Sequence, residues 1–202
     1  MGRPSDARER LLEAAIDLVW ASSFGSVTVD QICAAAGVKK GSFYHFFASK
    51  TDLALAAYEA AWDHKRATHD RIFSVQHPPL ERLARWCDEM IAVQRERAKK
   101  TGHVCGCPLS SVGAEMGTQD ERLRRKAAEL LERSRSYIVS TLRDAHARGD
   151  AVVPDPDACS RKIESFVLGR MLQAKLANDV SVMADLHGEI LAMVGVSPAH
   201  RT

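Results

Sequence analysis

The sequence has no long apolar run, and no apolar segment of the kind that directs export follows its first residues. No stretch of the 202 residues approaches the roughly 20 apolar residues that a helix needs to span a bilayer. Residues 1–10 are polar and charged, so we expect no signal peptide and a cytoplasmic protein. The five cysteines are an odd number, and in the cytosol a framework of structural disulfides is not expected.

The sequence also lacks the short motifs of common enzyme classes. It contains no HExxH, no GxSxG, no P-loop and no glycine-rich dinucleotide fingerprint. Its histidines, such as His64, His69 and His146, have no partner residues at useful spacing. We therefore expect a protein that is not an enzyme and that needs no cofactor.

What is present is a helical pattern along almost the whole chain. Apolar residues recur at helical spacing, as between Leu12 and Val19, and only residues 151–153 have an extended pattern. A His-Pro-Pro sequence at residues 77–79 marks a clear break. The sequence therefore predicts an all-α fold of about nine helices.

Polar pairs at capping-box spacing predict where several of these helices begin. The pairs are Thr28 with Gln31, Ser49 with Asp52, and Thr118 with Glu121. Asp155 followed by Pro156 predicts another helix start. The first four helices are expected at about 6–22, 28–36, 39–46 and 50–74, and the last two at about 155–178 and 182–194.

Residues 28–53 have the pattern of a helix-turn-helix. Gly37 permits the tight turn after the first of the two helices, because glycine can adopt a positive φ angle without a steric penalty. The next helix lies within residues 38–50, which contain no acidic residue, and it would present its N-terminal residues to a DNA major groove. Its expected anchors are Phe43, Phe46 and Phe47. Its polar residues are Lys39, Lys40, Ser42, Tyr44 and His45.

This segment resembles the helix-turn-helix of the TetR family of bacterial transcription regulators. The resemblance covers about residues 7–57 without an insertion and rests on Ala36, Gly37, Val38, Lys40, Gly41, Tyr44, Phe46 or Phe47, Lys50 and Leu53. It implies a repressor that binds palindromic double-stranded operator DNA as a homodimer and is released by a small-molecule inducer. A transcriptional activator, or a regulator that binds DNA independently of a ligand, is the less favoured alternative.

The resemblance also implies a division of the chain by function. A DNA-binding domain would occupy residues 1–50, a connecting helix about 50–74, and a ligand-sensing and dimerisation domain 75–202. The last two long helices, at about 155–178 and 182–194, would form the dimer interface.

Contacts with DNA follow from the resemblance residue by residue. Phosphate contacts, which set register and carry affinity, are expected from Thr28, Lys40, Tyr44 and Lys50. Base-edge contacts are expected from Lys39, Ser42 and His45, although Lys39 could equally contact a phosphate. Gly41 would let the backbone approach the DNA closely. Arg3, ahead of the first helix, would either enter an adjacent minor groove or make no contact.

A second segment resembles the subgroup of this family that contains the N-ethylmaleimide-responsive repressor. The matching residues are Gly106, Cys107, Pro108, Leu109, Ala114, Glu115 and Met116. This resemblance implies a sensor thiol at Cys107 with Lys175 as its partner. Independently, the dipole of a helix that begins at Cys107 would favour the thiolate. The alternative is that Cys107 is a small structural residue at a turn, and Cys105 is either a resolving cysteine or has no role.

An apolar inducer pocket is the competing hypothesis for the C-terminal domain. Its walls would be aromatic and methionine side chains, which adapt to varied ligands but which could equally be ordinary core. The residues are Trp86, Met90, Met116, Tyr137, Phe166, Met171 and Met193. No metal site is expected, because one histidine beside a C-x-C pair at residues 103–107 is a weak signal for zinc.

Overall fold

The structure is a computed structural model that describes residues 4–196. Within these residues the predicted all-α fold is confirmed, and the only extended pairing is an isolated antiparallel bridge between Ala151 and Val196. The α-helices are α1 (Pro4–Ala21), α2 (Val29–Ala36), α3 (Lys40–Phe46), α4 (Lys50–Ile72), α5 (Pro79–Thr101), α6 (Pro108–Met116), α7 (Glu121–Ala147), α8 (Pro156–Ala177) and α9 (Leu186–Met193). A 3-10 helix, Val180–Met183, lies between α8 and α9.

The described residues form two compact units. The first contains the chain up to Lys65 together with Pro108–Leu130, and the second contains Arg66–Cys107 together with the chain from Leu131 onward. Both α4 and α7 therefore begin in the first unit and end in the second. The functional division expected near residue 75 stays a prediction, but packing groups α6 and the start of α7 with the N-terminal helices.

The core of the first unit is built from one apolar face of each of its helices. Leu11, Ile32, Phe43, Leu53 and Leu123 are essentially inaccessible to solvent. Complete burial of an aliphatic or aromatic side chain contributes about 1.5–3 kcal/mol relative to exposure. These side chains fix α2 and α3 against α1 and so set the geometry of the helix-turn-helix.

The second unit has a continuous core of its own. Side chains from α5, α7, α8, the 3-10 helix and α9 form one cluster of buried residues. Its fully buried residues include Leu83, Leu142, Ile163, Met183, Leu186 and Ile190. Ala151 and Val196, which form the isolated bridge, are also members of this buried cluster.

Three of the four predicted helix starts are confirmed. The Thr28 side chain accepts from the Gln31 N–H at 3.2 Å, and Gln31 Oε1 accepts from the Thr28 N–H at 2.8 Å. The Ser49 hydroxyl accepts from the Asp52 N–H at 3.1 Å, and the Asp155 carboxylate accepts from the Ala158 N–H at 2.9 Å. Each of these contacts satisfies a backbone donor that the first turn of a helix leaves without an intrahelical partner.

The capping box predicted at Thr118 and Glu121 is wrong. Asp120 caps α7 instead, because its carboxylate accepts from the N–H groups of Arg122 and Leu123 at 2.9 and 3.2 Å. Asp and Thr are both good N-cap residues, and spacing alone did not distinguish them.

The single last helix predicted at about 182–194 is also wrong. The Asp179 side chain accepts from the Ser181 N–H and starts the 3-10 helix, and the Ala184 N–H bonds back to the Ser181 carbonyl. This i→i+3 pattern is tighter than that of an α-helix, and α9 begins only at Leu186. No helix within residues 4–196 is both long enough and apolar enough to cross a membrane.

Candidate DNA interface and sensor loop

The turn between α2 and α3 has the geometry expected of a helix-turn-helix. Gly37 has φ +61°, and its N–H bonds to the Ala34 carbonyl while the Val38 N–H bonds to the Cys33 carbonyl. This arrangement closes the C-terminus of α2 with a left-handed residue. A side chain at position 37 would be strained by the backbone angle, so the sequence needs glycine there.

Helix α3 has one buried face and one exposed face. Phe43 and Phe47 are buried, with their ring centroids 6.0 Å apart, whereas Phe46, the third expected anchor, is only partly buried. Tyr44 is 54% exposed and is one of the few large apolar side chains among the described residues that are exposed to solvent. The other exposed residues of this surface are Lys39, Lys40, Gly41, Ser42 and His45.

Lys40 forms an ion pair that joins α3 to α2. Its ammonium lies 2.9 Å from Asp30 Oδ1, and both side chains are more than half exposed. The hydrogen bond to Asp30 and the charge of Asp30 raise the pKa of Lys40 above its ordinary value. Because surface pairs of this kind contribute little to stability, a phosphate oxygen could replace the Asp30 carboxylate at low cost.

Lys50 and Thr28, two of the predicted phosphate contacts, make bonds within the protein. Lys50 Nζ donates to the carbonyl oxygens of Phe24 and Val27 at 2.7 and 2.8 Å, and burial lowers its pKa. Two of the three N–H donors of Lys50 are thus used internally. The hydroxyl of Thr28 lies 3.0 Å from Gln31 Oε1 within the capping box.

The remaining predicted DNA contact, Arg3, lies outside the described residues. A nearby cation that the sequence analysis missed is Arg8 on α1, whose guanidinium lies 5.6 Å from the ring centroid of Phe47. Its position beside α3 depends on tertiary packing, and no sequence motif marks it.

The loop that joins α5 to α6, residues 102–107, is fixed by neutral side chains. Gln94 accepts from the Gly106 N–H at 2.9 Å and donates to the Gly106 carbonyl at 3.1 Å. Asn178, the left-handed C-terminal residue of α8 with φ 51°, accepts from the Val104 N–H at 2.9 Å. Neither Gln94 nor Asn178 was predicted from the sequence. Gln94 is a polar residue that continues the buried face of Leu83, Cys87 and Ile91, and it is itself inaccessible to solvent.

Lys175, the predicted partner of Cys107, lies against this loop. A Cβ atom added to Gly106 would lie 3.4 Å from Lys175 Cδ and 3.5 Å from the Met171 carbonyl oxygen. Gly106 also has φ +70°, so its backbone angle favours glycine. The structure thus brings Lys175 against the residue that precedes Cys107.

The five thiols differ in their surroundings. Cys33, Cys87 and Cys105 are buried, whereas Cys107 and Cys159 are partly exposed. Burial raises the pKa of Cys87 to about 12 and also raises the pKa of Cys33 and of Cys159. Cys107 directly precedes α6, which begins at Pro108 rather than at Cys107 itself.

The predicted pocket residues are divided between the two units. Trp86 and Met171 belong to the buried core of the second unit, and Met90, Tyr137 and Phe166 pack against it while partly buried. Met116 is the last residue of α6 and belongs to the first unit, and Met193 is exposed on α9. The Tyr137 hydroxyl donates to Asp70 Oδ1, and burial together with this carboxylate raises the pKa of Tyr137 to about 12.

Two family profiles match the chain over most of its length. The profile described as bacterial regulatory proteins, tetR family, matches residues 11–57. The profile described as tetracyclin repressor-like, C-terminal domain, matches residues 79–188, which is more than half of the chain. The chain belongs to the TetR family. It is therefore a DNA-binding transcription regulator of a class that is not enzymatic, as the sequence analysis predicted.

Individual TetR-family proteins are similar over nearly the whole chain. The transcriptional regulator AcuR of Cereibacter sphaeroides is 32% identical over 183 residues, which are 87% of this chain and 82% of AcuR. The transcriptional repressor NemR of Escherichia coli K12 is 24% identical over 180 residues, 85% of each chain. The crystal structure of a regulatory protein TetR from Rhodobacter sphaeroides has a TM-score of 0.81 at 28% identity and covers 93% of this chain and 98% of its own. The crystal structure of E. coli NemR in its reduced form has the same fold, with a TM-score of 0.78 at 20% identity, and covers 95% and 99%.

Proposed function

We propose that this TetR-family chain is a homodimeric repressor that binds a palindromic operator through α3 and is released by a small-molecule inducer. The observation that carries the proposal is the exposed polar face of α3, held in place by the buried rings of Phe43 and Phe47. A short helix with this arrangement fits the major groove and can contact base edges with its N-terminal residues.

The individual contacts follow the sequence analysis, with one change. Lys39, Ser42 and His45 are proposed to contact base edges, and Thr28, Lys40 and Tyr44 to contact phosphates. Lys50 keeps at most one donor for DNA, because the Phe24 and Val27 carbonyls take the other two.

Gly41 supports close approach of the DNA to α3. A Cβ atom built at this position has no protein atom within 4 Å, and Gly41 does not have the positive φ that would require glycine. Packing and backbone strain within the chain therefore do not explain the glycine. We infer that a side chain here would instead separate the helix from the DNA backbone.

The apolar surface of α8 and α9 supports a dimer formed through these two helices. Leu172 and Leu176, one turn apart on α8, are 55% and 78% exposed, and Met193 on α9 is 40% exposed. Exposed leucines at this spacing form an apolar stripe along the helix. We propose that a second copy covers this stripe, which gives the homodimer that a palindromic operator requires.

The first test measures binding to an operator selected from random DNA, by fluorescence anisotropy. Tyr44→Phe removes only the hydroxyl and is expected to weaken binding to all sequences about fivefold, as for one lost hydrogen bond. His45→Ala is expected to change the base preference of the selected site. The matched control is His64→Ala, which alters an exposed histidine on α4 and should change neither property. Unchanged affinity in Tyr44→Phe together with an unchanged site in His45→Ala would contradict the assignment of α3.

A second candidate for the signal is an electrophile that reacts with Cys107. Three observations favour it: Cys107 is partly exposed, Lys175 packs on Gly106, and burial raises the pKa of both Cys87 and Cys159. The thiolate is the nucleophilic form of a cysteine and reacts with electrophiles that reach it.

N-ethylmaleimide tests this candidate directly, since the thiolate sulfur adds to its double bond and the ring carbon then takes a proton from water. Treatment is expected to release wild type and the control variant Cys159→Ser from the operator, but not Cys107→Ser. Mass spectrometry should find Cys107 alkylated first. If treatment releases none of the three proteins, Cys107 is not the sensor and the apolar-inducer hypothesis for the C-terminal domain is favoured.

A further inference from the structure

The loop that joins α1 to α2, residues 22–28, is bound by a carboxylate from a helix far along the chain. The side chain of Glu115 on α6 accepts from the N–H groups of Phe24 and Gly25 at 2.8 and 2.6 Å. The two oxygens of one carboxylate thus bind two successive backbone donors. Hydrogen bonds to an ionised acceptor are about twice as strong as neutral ones, so this contact is a specific attachment of α6 to the α1–α2 loop.

Gly25 leaves room for the carboxylate. A Cβ atom built on Gly25 would lie 2.7 Å from Glu115 Oε1, which is too close for any real contact. Gly25 does not have a positive φ angle, so alanine would fit the backbone here. The side chain of Glu115 is flexible enough to move aside, and alanine at position 25 would therefore remove this contact without preventing folding.

Lys50 at the start of α4 holds the same loop from its carbonyl side. Its ammonium donates to the Phe24 and Val27 carbonyls and lies 4.3 Å from the ring centroid of Phe24. An anion therefore binds the N–H groups of the loop while a cation binds its carbonyl groups. The charge of Glu115 also favours the ammonium form of Lys50, against the effect of burial.

This loop sets the position of the helices proposed to contact DNA. It is anchored by the buried side chains of Phe24 and Val27 and ends at Thr28, the N-cap of α2. From α2, the tight turn at Gly37 leads directly to α3, and the buried side chains of Ile32 and Phe43 fix the two helices. A shift of the α1–α2 loop would therefore move the start of α2 and alter the presentation of α3.

We infer that Glu115 is a positioning residue for operator binding, which holds the α1–α2 loop, and with it α2 and α3, in the arrangement that DNA requires. This inference rests on the proposed use of α3 as the recognition helix. Helix α6 begins one residue after Cys107, so the chain itself connects this attachment to the loop at residues 102–107.

The sign of the effect on DNA affinity distinguishes this role from simple electrostatics. Removal of a negative charge from a DNA-binding unit should strengthen binding to the phosphate backbone. A positioning role predicts the opposite: Glu115→Ala should weaken operator binding about tenfold, as for the loss of charge-assisted hydrogen bonds. Glu115→Gln keeps one acceptor oxygen and should recover about a third of the wild-type affinity.

Gly25→Ala provides an independent way to break the same contact without a change of charge. It should weaken operator binding about as much as Glu115→Ala, and the double variant should bind no worse than either single variant, because both remove one interaction. The charge-matched control is Glu121→Ala, which removes an exposed carboxylate of α7 in the same unit and should leave operator binding unchanged or stronger.

The measurement is operator affinity by fluorescence anisotropy, with thermal unfolding of each variant and affinity for an unrelated duplex in parallel. A residue needed only for folding would lower the thermal transition and both affinities together. The expected result is a loss of operator affinity in variants that remain folded and that keep their affinity for unrelated DNA. If wild type binds its operator and the Glu115→Ala and Gly25→Ala variants bind equally well, or if their effects add, the inference is wrong. If wild type selects no operator at all, the proposed use of α3 fails and this inference fails with it.

Discussion

Two loops of this TetR-family chain are bound by side chains from other helices, with different chemistry in each case. The α1–α2 loop in the first unit is held by two charged groups, Glu115 and Lys50. The α5–α6 loop, residues 102–107, is held by two neutral amides, Gln94 and Asn178. The first loop is partly open to solvent, whereas Gln94 and Gly106 are buried.

At Gln94 the difference follows from the cost of burying charge, whereas Asn178 is exposed. An ionised group loses several kcal/mol of hydration in a protein interior, whereas an amide can satisfy a buried backbone donor and acceptor at much lower cost. Near the surface a charged group keeps much of its hydration and still binds backbone groups strongly. The α5–α6 loop is therefore held by groups that do not titrate, and the position of the α1–α2 loop depends on charge.

Among the variants that test this comparison, Gln94→Ala is expected to change the free energy of unfolding most. It removes two hydrogen bonds to Gly106 from a site with no solvent access and leaves a void where the side chain was. We expect a loss of about 2–4 kcal/mol in the free energy of unfolding, measured by urea denaturation.

Gln76→Ala is the control for this variant, since Gln76 is an exposed glutamine of the same unit. Its effect should stay within about 0.5 kcal/mol. Equal stabilities of the two variants would mean that the amide of Gln94 does not hold the loop.

Gly106→Ala is expected to have a smaller effect on stability. Gly149→Ala is its control, because it separates backbone strain from contact with α8. Both glycines have positive φ angles, +70° and +75°, so alanine strains the backbone by about 1 kcal/mol at either position. Only at position 106 does the new methyl group also meet Lys175 and the Met171 carbonyl.

Gly106→Ala and Gly149→Ala should therefore destabilise the protein by similar amounts in thermal unfolding, because the new methyl group at position 106 makes only ordinary van der Waals contacts. Gly106→Ala alone should change the rate at which N-ethylmaleimide labels Cys107, because only its methyl group contacts α8 beside that residue. Identical behaviour of the two variants would show that contact with α8 does not constrain the loop.

The two loops also differ from the helix-turn-helix in how far the sequence predicts them. Gly37 and the Thr28 capping box involve residues a few positions apart, so their spacing was enough to predict the turn and the start of α2. Glu115 and Gly25 are 90 positions apart, and no local pattern relates them. The same limit applies to Lys50, whose motif implied a phosphate contact while its bonds to the α1–α2 loop depend on tertiary packing.

Local spacing failed in two further places for different reasons. Apolar residues from 182 to 193 fit one helix, but spacing does not distinguish i→i+3 from i→i+4 hydrogen bonding, and the chain forms a 3-10 helix before α9. Gln94 could have been noticed as a polar residue on an otherwise apolar face of α5. The sequence alone could not identify Gly106 as its partner, because that pairing depends on the path of the α5–α6 loop.

The smallest effect is expected at the charged start of α4, where the hydrogen bond from Ser49 and the contact with Arg122 lower the pKa of Asp52 below its ordinary value of 3.8. A carboxyl group whose pKa is lower in the folded state stabilises the protein above its unfolded pKa. That contribution is lost as the pH falls through the folded pKa. Wild type should therefore be more stable than Asp52→Asn at pH 7, and the difference should shrink as the pH falls below about 5 and vanish only below the folded pKa of Asp52.

Ser49→Ala is the companion variant, because it removes both the hydroxyl bonded to the Asp52 carboxylate and the acceptor of the Asp52 N–H. The second of these bonds does not titrate, so Ser49→Ala should keep a small deficit in thermal stability even below the folded pKa of Asp52, where Asp52→Asn matches wild type. A difference between wild type and Asp52→Asn that stays constant from neutral to acid pH would show that the carboxylate of Asp52 does not stabilise α4 through its charge. In that case only Glu115 and Lys50 would remain as charged groups that hold the first unit through their charge, and Asp52 would not be a further example.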